Sequence, residues 1–203
     1  MNILAVDCCL KFTGVALRID DNVDAEQYDL GRSQSSELPH MSGRIMSRNN
    51  ISWCSLDYIA ITNGPGYFTG IRVGAAYASG LAYASGAKII PVSSLDLLAQ
   101  SSGLSGKILV IVYAGHGFVY ASCHGSLEAG EYSHAQILSW LNGNPDAVII
   151  SDDPERTGLH DLDIKNVKPD MIALCETAEK NISLAVSPME LKILYYRAPQ
   201  GMS

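Results

Sequence analysis

The chain has 203 residues, of which 47% are hydrophobic, and it carries a formal net charge of −7 with a sequence pI of about 5.1. This apolar content is sufficient for a folded core and excludes a disordered chain. The acidic charge argues against independent nucleic-acid binding, because such binding needs a basic surface that displaces phosphate counterions.

Neither a membrane segment nor a secretory leader is expected from the sequence. The stretch nearest to a membrane span, residues 73–87, is too short and too rich in Ala, Gly and Ser to partition strongly into lipid. The beginning, MNILAVD, lacks the basic start and long apolar run of a signal peptide. The 5 Cys include no C-x-x-C spacing, and the adjacent Cys8 and Cys9 cannot bond each other without strain. We therefore expect a reduced cytoplasmic protein with mostly buried thiols.

The first third of the chain predicts a β-meander followed by a helix. Residues 2–7 (NILAVD) and 13–19 (TGVALRI) have strand patterns, and the short connection CCLKF predicts that they form a hairpin. Residues 25–30 (AEQYDL) predict a third, antiparallel strand. Apolar side chains at helical spacing in residues 36–50 predict a helix, although Gly43 weakens it.

The middle of the chain predicts alternating strands and helices. Residues 56–62 read as a buried strand that leads into the loop NGPGYFTG. Thr69 is expected to cap a helix that begins near Gly70 and ends at Gly86. A strand at 87–92 and a helix at 93–103 follow, with Ser93 and Asp96 in capping-box spacing. Strands that alternate with helices predict parallel pairing.

The second half repeats this order of elements in a shorter form. Residues 107–114 and 118–124 flank GHG and predict another hairpin, with His116 facing solvent in its turn. A helix at 135–141, a strand at 146–153 and a helix at 169–180 follow. The residues themselves do not repeat; only the order of the elements does. The sequence thus predicts an α/β protein of two lobes, residues 1–105 and 106–203, each with a mixed sheet and flanking helices.

A nucleotide-binding cleft is one interpretation of the polar residues at the predicted strand ends. Asp7 ends a central strand and could face a nucleotide and its metal, or only stabilise the turn. The backbone amides of a Gly-rich loop before a helix attract anions, but no Lys-Ser/Thr follows Gly70, so the P-loop pattern is not satisfied. The candidate residues for a vestigial nucleotide site are Asp7, Thr13, Gly14, Gly64, Gly66 and Thr69.

The helix after this loop carries a row of small residues. Gly70, Gly74 and Ala78 recur every four residues, which lets another backbone approach closely at the cost of helix propensity. The row could pack in the chain's own core or against a partner. Tyr77 and Tyr83 favour the partner, because Tyr is enriched in protein interfaces. The predicted interface residues are Met41, Ile45, Gly70, Arg72, Gly74, Tyr77, Ala78 and Leu81.

Histidine and serine patterns indicate neither a metalloenzyme nor a hydrolase. No two of the 5 His lie four apart, and neither H-E-x-x-H nor G-x-S-x-G is present. The sequence therefore predicts no catalytic set and no metal site.

Several strings together resemble the TsaB family, also called YeaZ. They are NILAVD…TGVAL, DYIAITNGPGYFTGIRVGAAYASGLA, IIPVSSLDLLA and the tail LYYRAP. The similarity is strongest over residues 57–99, fair at the first hairpin and thin over the second half. The run from GPGYFTGIRVG to PVSSL is the specific part of the pattern.

This resemblance implies a two-lobed actin/hexokinase-like (ASKHA, ribonuclease H-like) fold. It also implies a non-catalytic, cytoplasmic subunit of the complex that forms N6-threonylcarbamoyladenosine at position 37 of tRNAs reading codons that begin with adenine. The implied partners are the catalytic subunit TsaD, the ATPase TsaE and, through the same helices, a second copy. The tRNA would be bound only indirectly. No intrinsic cofactor is implied, and ATP or ADP could lie at the subunit boundary.

The chain departs from the family pattern at three places. Cys8 and Cys9 stand where Ser or Thr is usual, which weakens the hairpin as a phosphate clamp. The helix around His40 is shorter than usual. The second hairpin has Tyr113, Ala114, Gly115 and Phe118 where charged residues are common. An ATP-dependent kinase or ATPase of the same fold is the alternative function.

Overall fold

The first of two five-stranded sheets is built from the first 92 residues. In a computed structural model, which describes residues 1–196, this sheet has the order β3-β2-β1-β4-β5. Its strands are β1 (Asn2–Asp7), β2 (Thr13–Ile19), β3 (Asn22–Tyr28), β4 (Tyr58–Thr62) and β5 (Lys88–Val92). β1 pairs antiparallel with β2 and β2 with β3, whereas β4 pairs parallel to β1 and β5 pairs parallel to β4. The predicted hairpin and parallel pairing are confirmed.

The second sheet repeats the strand order of the first. Its strands are β6 (Ile108–Gly115), β7 (Phe118–Cys123), β8 (Leu127–Ser133), β9 (Val148–Ser151) and β10 (Ile164–Asn166), in the order β10-β9-β6-β7-β8. The predicted echo of element order is confirmed. The sequence prediction missed β8 and β10, which are edge strands with mixed, half-exposed residues and therefore lack a clear alternating pattern. His116 is exposed in the turn between β6 and β7, as expected.

Two helices cover the outer face of the first sheet. In α1 (Gln34–Arg48), Leu38, Met41, Ile45 and Met46 are buried against strand residues such as Leu4 and Ile59. Helix α2 (Phe68–Ser85) lies beside it and buries Gly70, Ile71, Gly74, Ala75, Ala78 and Ala82. The helix ends where Gly86, at φ 80°, donates its N–H to Ala82, so the predicted C-terminal glycine is confirmed.

The layer between the two sheets contains α3 (Ser94–Ser101) and α5 (Met171–Lys180). Met171, Leu174, Cys175 and Ala178 of α5 join one core with Ile3 and Ala16 of the first sheet. The following segment also returns to the first lobe, where Val186 pairs with Ile89 of β5. The split between residues 105 and 106 stays a prediction, and α5, from the second half of the chain, packs on the strands of the first sheet. Helix α4 (His134–Asn142) covers the outer side of the second sheet.

The residues predicted to cap two helices do not cap them, although the helices themselves form. Helix α2 begins at Phe68, so Thr69 lies inside its first turn and does not cap it. The expected capping box of Ser93 and Asp96 is absent; Ser94 instead donates its hydroxyl to the carbonyl of Pro65.

Of the 5 Cys, only Cys54 is exposed, which confirms mostly buried thiols. Residues 197–199 of the LYYRAP string lie outside the described residues. Across residues 1–196, no helix combines the length and apolarity that membrane crossing demands.

Candidate functional site: the second helix and the cleft between the lobes

The predicted row of small residues on α2 faces the interior of its own chain. A Cβ atom on Gly70 would overlap the carbonyl oxygen of Cys8, and one on Gly74 would lie 3.1 Å from the side chain of Ile61. Ala78 is fully buried. The close backbone approach inferred from the sequence therefore exists, but its partner is the loop after β1. As contact residues for another protein, Gly70, Gly74 and Ala78 were wrong predictions.

The apolar interface residues predicted on α1 are also buried in the monomer. Met41 and Ile45 are at most 1% exposed, because they pack on the outer face of the first sheet. Tyr77 and Leu81 are half-buried against the same core. Arg72 alone among the eight predicted interface residues is exposed.

A second row of small residues lies on the exposed face of α2. Ala76, Gly80 and Ala84 follow Arg72 at intervals of four residues, and all are exposed. A Cβ atom on Gly80 would have no neighbour within 4 Å. Tyr83, beside this row, is 82% exposed. We call Arg72, Ala76, Gly80, Tyr83 and Ala84 the outer row. Its spacing is visible in the sequence, but spacing alone does not tell which of two such rows faces out.

An aromatic cluster stands at the N-terminal end of the outer row. The guanidinium of Arg72 lies 3.7 Å from the ring centroid of Phe68 and donates to the hydroxyl of Tyr195 at 3.2 Å. The rings of Phe68 and Tyr195 are 5.9 Å apart, and both side chains are more than 40% exposed. These groups extend the outer row with amphipathic side chains.

The exposed side of α1 borders a shallow depression of about 600 Å³. Its lining residues are Pro39, His40, Gly43, Arg44, Ser47 and Arg48. Arg44 and Arg48 are ion-paired with Glu26 of β3, and Arg48 also pairs with Asp24. Their charges are thus neutralised within the chain, so this side of α1 offers little net positive charge.

Asp7 is buried at the end of β1, just before the loop that contacts the second lobe through Lys11 and Asp152. Its Oδ1 accepts hydrogen bonds from the Thr62 hydroxyl at 2.6 Å and from the Cys9 N–H at 2.9 Å. Its Oδ2 has no partner among the described residues. Burial raises the pKa of Asp7 to about 7, although both hydrogen bonds oppose the shift. Asp7 is thus a half-satisfied internal acid and is not exposed in an open cleft.

The Gly-rich loop is closed against its own chain. A Cβ atom on Gly66 would overlap the carbonyl of Cys9, and Gly64 lies against the carbonyl of Leu194. The N–H of Tyr67, at the start of α2, donates to Cys9 O at 2.8 Å. The close packing of these backbones accounts for Gly64 and Gly66 without a phosphate.

Two further residues of the predicted nucleotide site are buried nearby. Thr13 is fully buried, and its hydroxyl has no partner among the described residues. A Cβ atom on Gly14 would collide with the side chain of Met171 in α5. Thr69, by contrast, is exposed on the outside of α2. The structure therefore buries Asp7 and Thr13 at one end of the first sheet and leaves Thr69 exposed on α2.

The sequence analysis did not single out Asp152, which follows β9 and whose charge contributes to the raised pKa of Asp7. Asp152 is 1% exposed, and its Oδ2 accepts the backbone N–H of Lys11 at 2.8 Å. Burial raises the pKa of Asp152 to about 6. The signal was the pair of acids that ends the strand in VIISDD, whose proximity to Asp7 only the tertiary structure reveals.

Comparisons with known proteins agree with this architecture. The family model described as TsaD, tRNA N6-adenosine threonylcarbamoyltransferase, matches residues 29–138. The chain is 32% identical over 123 residues to the tRNA threonylcarbamoyladenosine biosynthesis protein TsaB of Escherichia coli (strain K12), covering 59% of this chain and 53% of that protein. It is 28% identical over 150 residues to TsaB of Buchnera aphidicola subsp. Schizaphis graminum (strain Sg), covering 72% and 68%. The match thus spans about half the length of the Escherichia coli relative.

A solved structure from Pseudomonas aeruginosa, described as an uncharacterized protein with similarity to peptidase YEAZ, superposes with a TM-score of 0.82 at 20% identity. That superposition covers 97% of this chain and 99% of the other. Together with the paired five-stranded sheets and the matching family model, it shows a two-lobed ASKHA-like fold. The family model covers more than half of the chain. The chain belongs to the TsaD family, in which it groups with the TsaB/YeaZ proteins.

Proposed function

We propose that this chain is an accessory subunit in the formation of N6-threonylcarbamoyladenosine at position 37 of tRNAs that read codons beginning with adenine. In this role it binds and activates a TsaD-like catalytic subunit and does not itself transfer the threonylcarbamoyl group. The names of the TsaB relatives support the pathway. The observation that carries the binding role is the outer row of α2.

The outer row has the properties of a helix-docking surface. Ala76, Gly80 and Ala84 leave a shallow track along the helix, so a second helix can lie close to the backbone. Tyr83 and Phe68 flank the track with 82% and 46% of their surface exposed. Large exposed aromatic groups are frequent anchors of protein interfaces. A partner of the same fold, with an equivalent helix, suits such a track.

The remaining partners follow from the same proposal. A TsaE-like ATPase would complete the assembly, and a second copy of this chain would compete with the catalytic subunit for the outer row. The net charge of −7 favours tRNA binding by another subunit. ATP or ADP would lie at the subunit boundary, since Gly64, Gly66 and the start of α2 pack against this chain's own backbone.

We predict that Gly80→Arg weakens binding to the TsaD-like subunit without unfolding this chain. The new side chain enters open space on α2 and improves helix propensity, but it fills the track with bulk and charge. Calorimetry with the purified catalytic subunit should show at least a tenfold loss of affinity. Ser139→Arg, at an exposed position of α4 on the other lobe, is the matched control and should bind normally. Unaltered affinity of a folded Gly80→Arg protein would contradict the docking surface.

Reconstitution tests the function itself. Modification of tRNA by the catalytic subunit and the ATPase should depend on the wild-type chain and fail with Gly80→Arg. The alternative, an ATP-dependent enzyme of this fold, requires the isolated chain to bind ATP and Mg²⁺. Calorimetry of the chain alone should show no such binding, whereas micromolar affinity would favour the alternative.

A further inference from the structure

The loop between β1 and β2 makes polar contacts with the segment that follows β9 of the second lobe. The backbone N–H of Lys11 donates to Oδ2 of Asp152 at 2.8 Å, and the ammonium of Lys11 lies 3.2 Å from Oδ1 of Asp153. The two acids directly follow β9 of the second sheet. A single residue of the first lobe is therefore held by two consecutive carboxylates of the second.

The same two acids are linked to the beginning of α2. The hydroxyl of Tyr67 lies 3.5 Å from Oδ2 of Asp153. Arg156 places its guanidinium 4.8 Å from the centroid of the Tyr67 ring and 4.7 Å from that of Tyr113 in β6. Tyr67 immediately precedes α2, and its N–H is bonded to Cys9 of the same loop. The β1–β2 loop, Tyr67 and the two acids thus contact one another in a closed ring of interactions.

We propose that Asp152 and Asp153 are positioning residues, by which the second lobe holds the β1–β2 loop and Tyr67 and so fixes the first turn of α2. The path of contact runs from β9 through Asp152 to Lys11, and through Asp153 to Tyr67. Because the loop carbonyls of Cys8 and Cys9 lie directly against Gly70 and Gly66, a shift of the loop moves the helix start. This inference concerns the monomer and does not depend on the proposed function.

Burial makes Asp152 the stronger of the two contacts. Asp152 is 1% exposed, and the Lys11 N–H that it accepts is partly buried as well. A buried N–H that loses its acceptor is left without a hydrogen bond, which is more unfavourable than the loss of an exposed ion pair. The Lys11–Asp153 pair is more exposed, with 34% and 15% of the side-chain surfaces accessible, and it restrains the direction of the Lys11 side chain.

Hydrogen exchange of the whole chain tests this inference with two variants of one residue. Asp152→Ala removes the acceptor, so the Lys11 amide and the amides of the first turn of α2, including Ile71, should exchange at least tenfold faster. Asp152→Asn keeps an oxygen that can accept the Lys11 N–H and should exchange as the wild type does. Amides in the middle of β1, such as Ala5, should stay protected in both variants.

Two results would overturn the inference. The first is unchanged protection of Lys11 and Ile71 in Asp152→Ala. The second is faster exchange to the same extent in β1, because that would indicate general destabilisation without specific positioning. If Asp152→Ala does not fold, the double variant Asp153→Ala with Tyr67→Phe supplies the test. It removes the contact between Asp153 and Tyr67 and should accelerate exchange at Ile71 by at least threefold while Ala5 is unaffected.

Discussion

Replacing Gly70 by alanine is expected to lower the free energy of unfolding by about 2 kcal/mol or more. The added Cβ atom would overlap the carbonyl oxygen of Cys8, and it would lie 3.1 Å from Oε1 of Gln34. A backbone oxygen cannot turn away as a flexible side chain can, so either α2 or the loop must move. The gain in helix propensity, at most about 1 kcal/mol, does not offset this cost.

Gly80→Ala is the matched control on the same helix. Its Cβ atom meets nothing within 4 Å, so only the propensity gain of about 1 kcal/mol remains and the protein should become more stable. Chemical denaturation of both variants measures the two changes with opposite signs. Equal effects at the two positions would show that Gly70 is not packed against Cys8 and would refute the buried arrangement of the first small-residue row.

Asp7→Asn is expected to stabilise the protein by several kcal/mol above pH 7, by clearly less at pH 5, and to have little effect below about pH 4. Burial raises the pKa of Asp7 to about 7 in the folded chain, whereas an unfolded Asp titrates near about 3.9. Between these values the folded state holds a proton that the unfolded state has released. The contribution of Asp7 to stability therefore falls as the pH rises from about 4 to about 7 and is constant above.

Asparagine keeps the contacts of Asp7 and removes its charge. The amide oxygen can still accept from Thr62 and Cys9, and the amide nitrogen can take the place of the unpartnered Oδ2. Urea unfolding of both proteins at pH 5 and pH 8 measures the difference. Burial raises the pKa of Asp152 to about 6, so this residue makes the free energy of unfolding of both proteins fall in the same way as the pH rises. A lower stability of Asp7→Asn at pH 8 would show that the carboxylate is needed in its charged form.

The elements that local pattern defines were predicted well. β1 and β2 have the bounds expected from NILAVD and TGVALRI, because their apolar runs are framed by polar turns. Helix α1 forms despite Pro39 and Gly43, since Leu38, Met41, Ile45 and Met46 are fully or nearly fully buried. β8 was missed because its pairing with β7, and not its own composition, holds it in the sheet.

The sequence predicted which residues of the candidate site matter, but not which way they face. The spacing of Gly70 and Gly74 indicated close contact of backbones, and the structure supplies Cys8 as the partner. The polar residues Asp7 and Thr13 were recognised, but their complete burial could not be anticipated, because α5, which is distant in the chain, packs on the strands that carry them.

The sequence by itself determined the α/β class, the repeated order of strands and helices, and the presence of a helix with unusually small side chains. These properties depend on periodicity and residue size, which are local. Only the tertiary structure decided which side of α2 faces outward and which acid meets Lys11. Both are set by contacts between residues distant in the chain, such as Gly70 with Cys8 and Lys11 with Asp152, and no local pattern encodes the direction of such contacts.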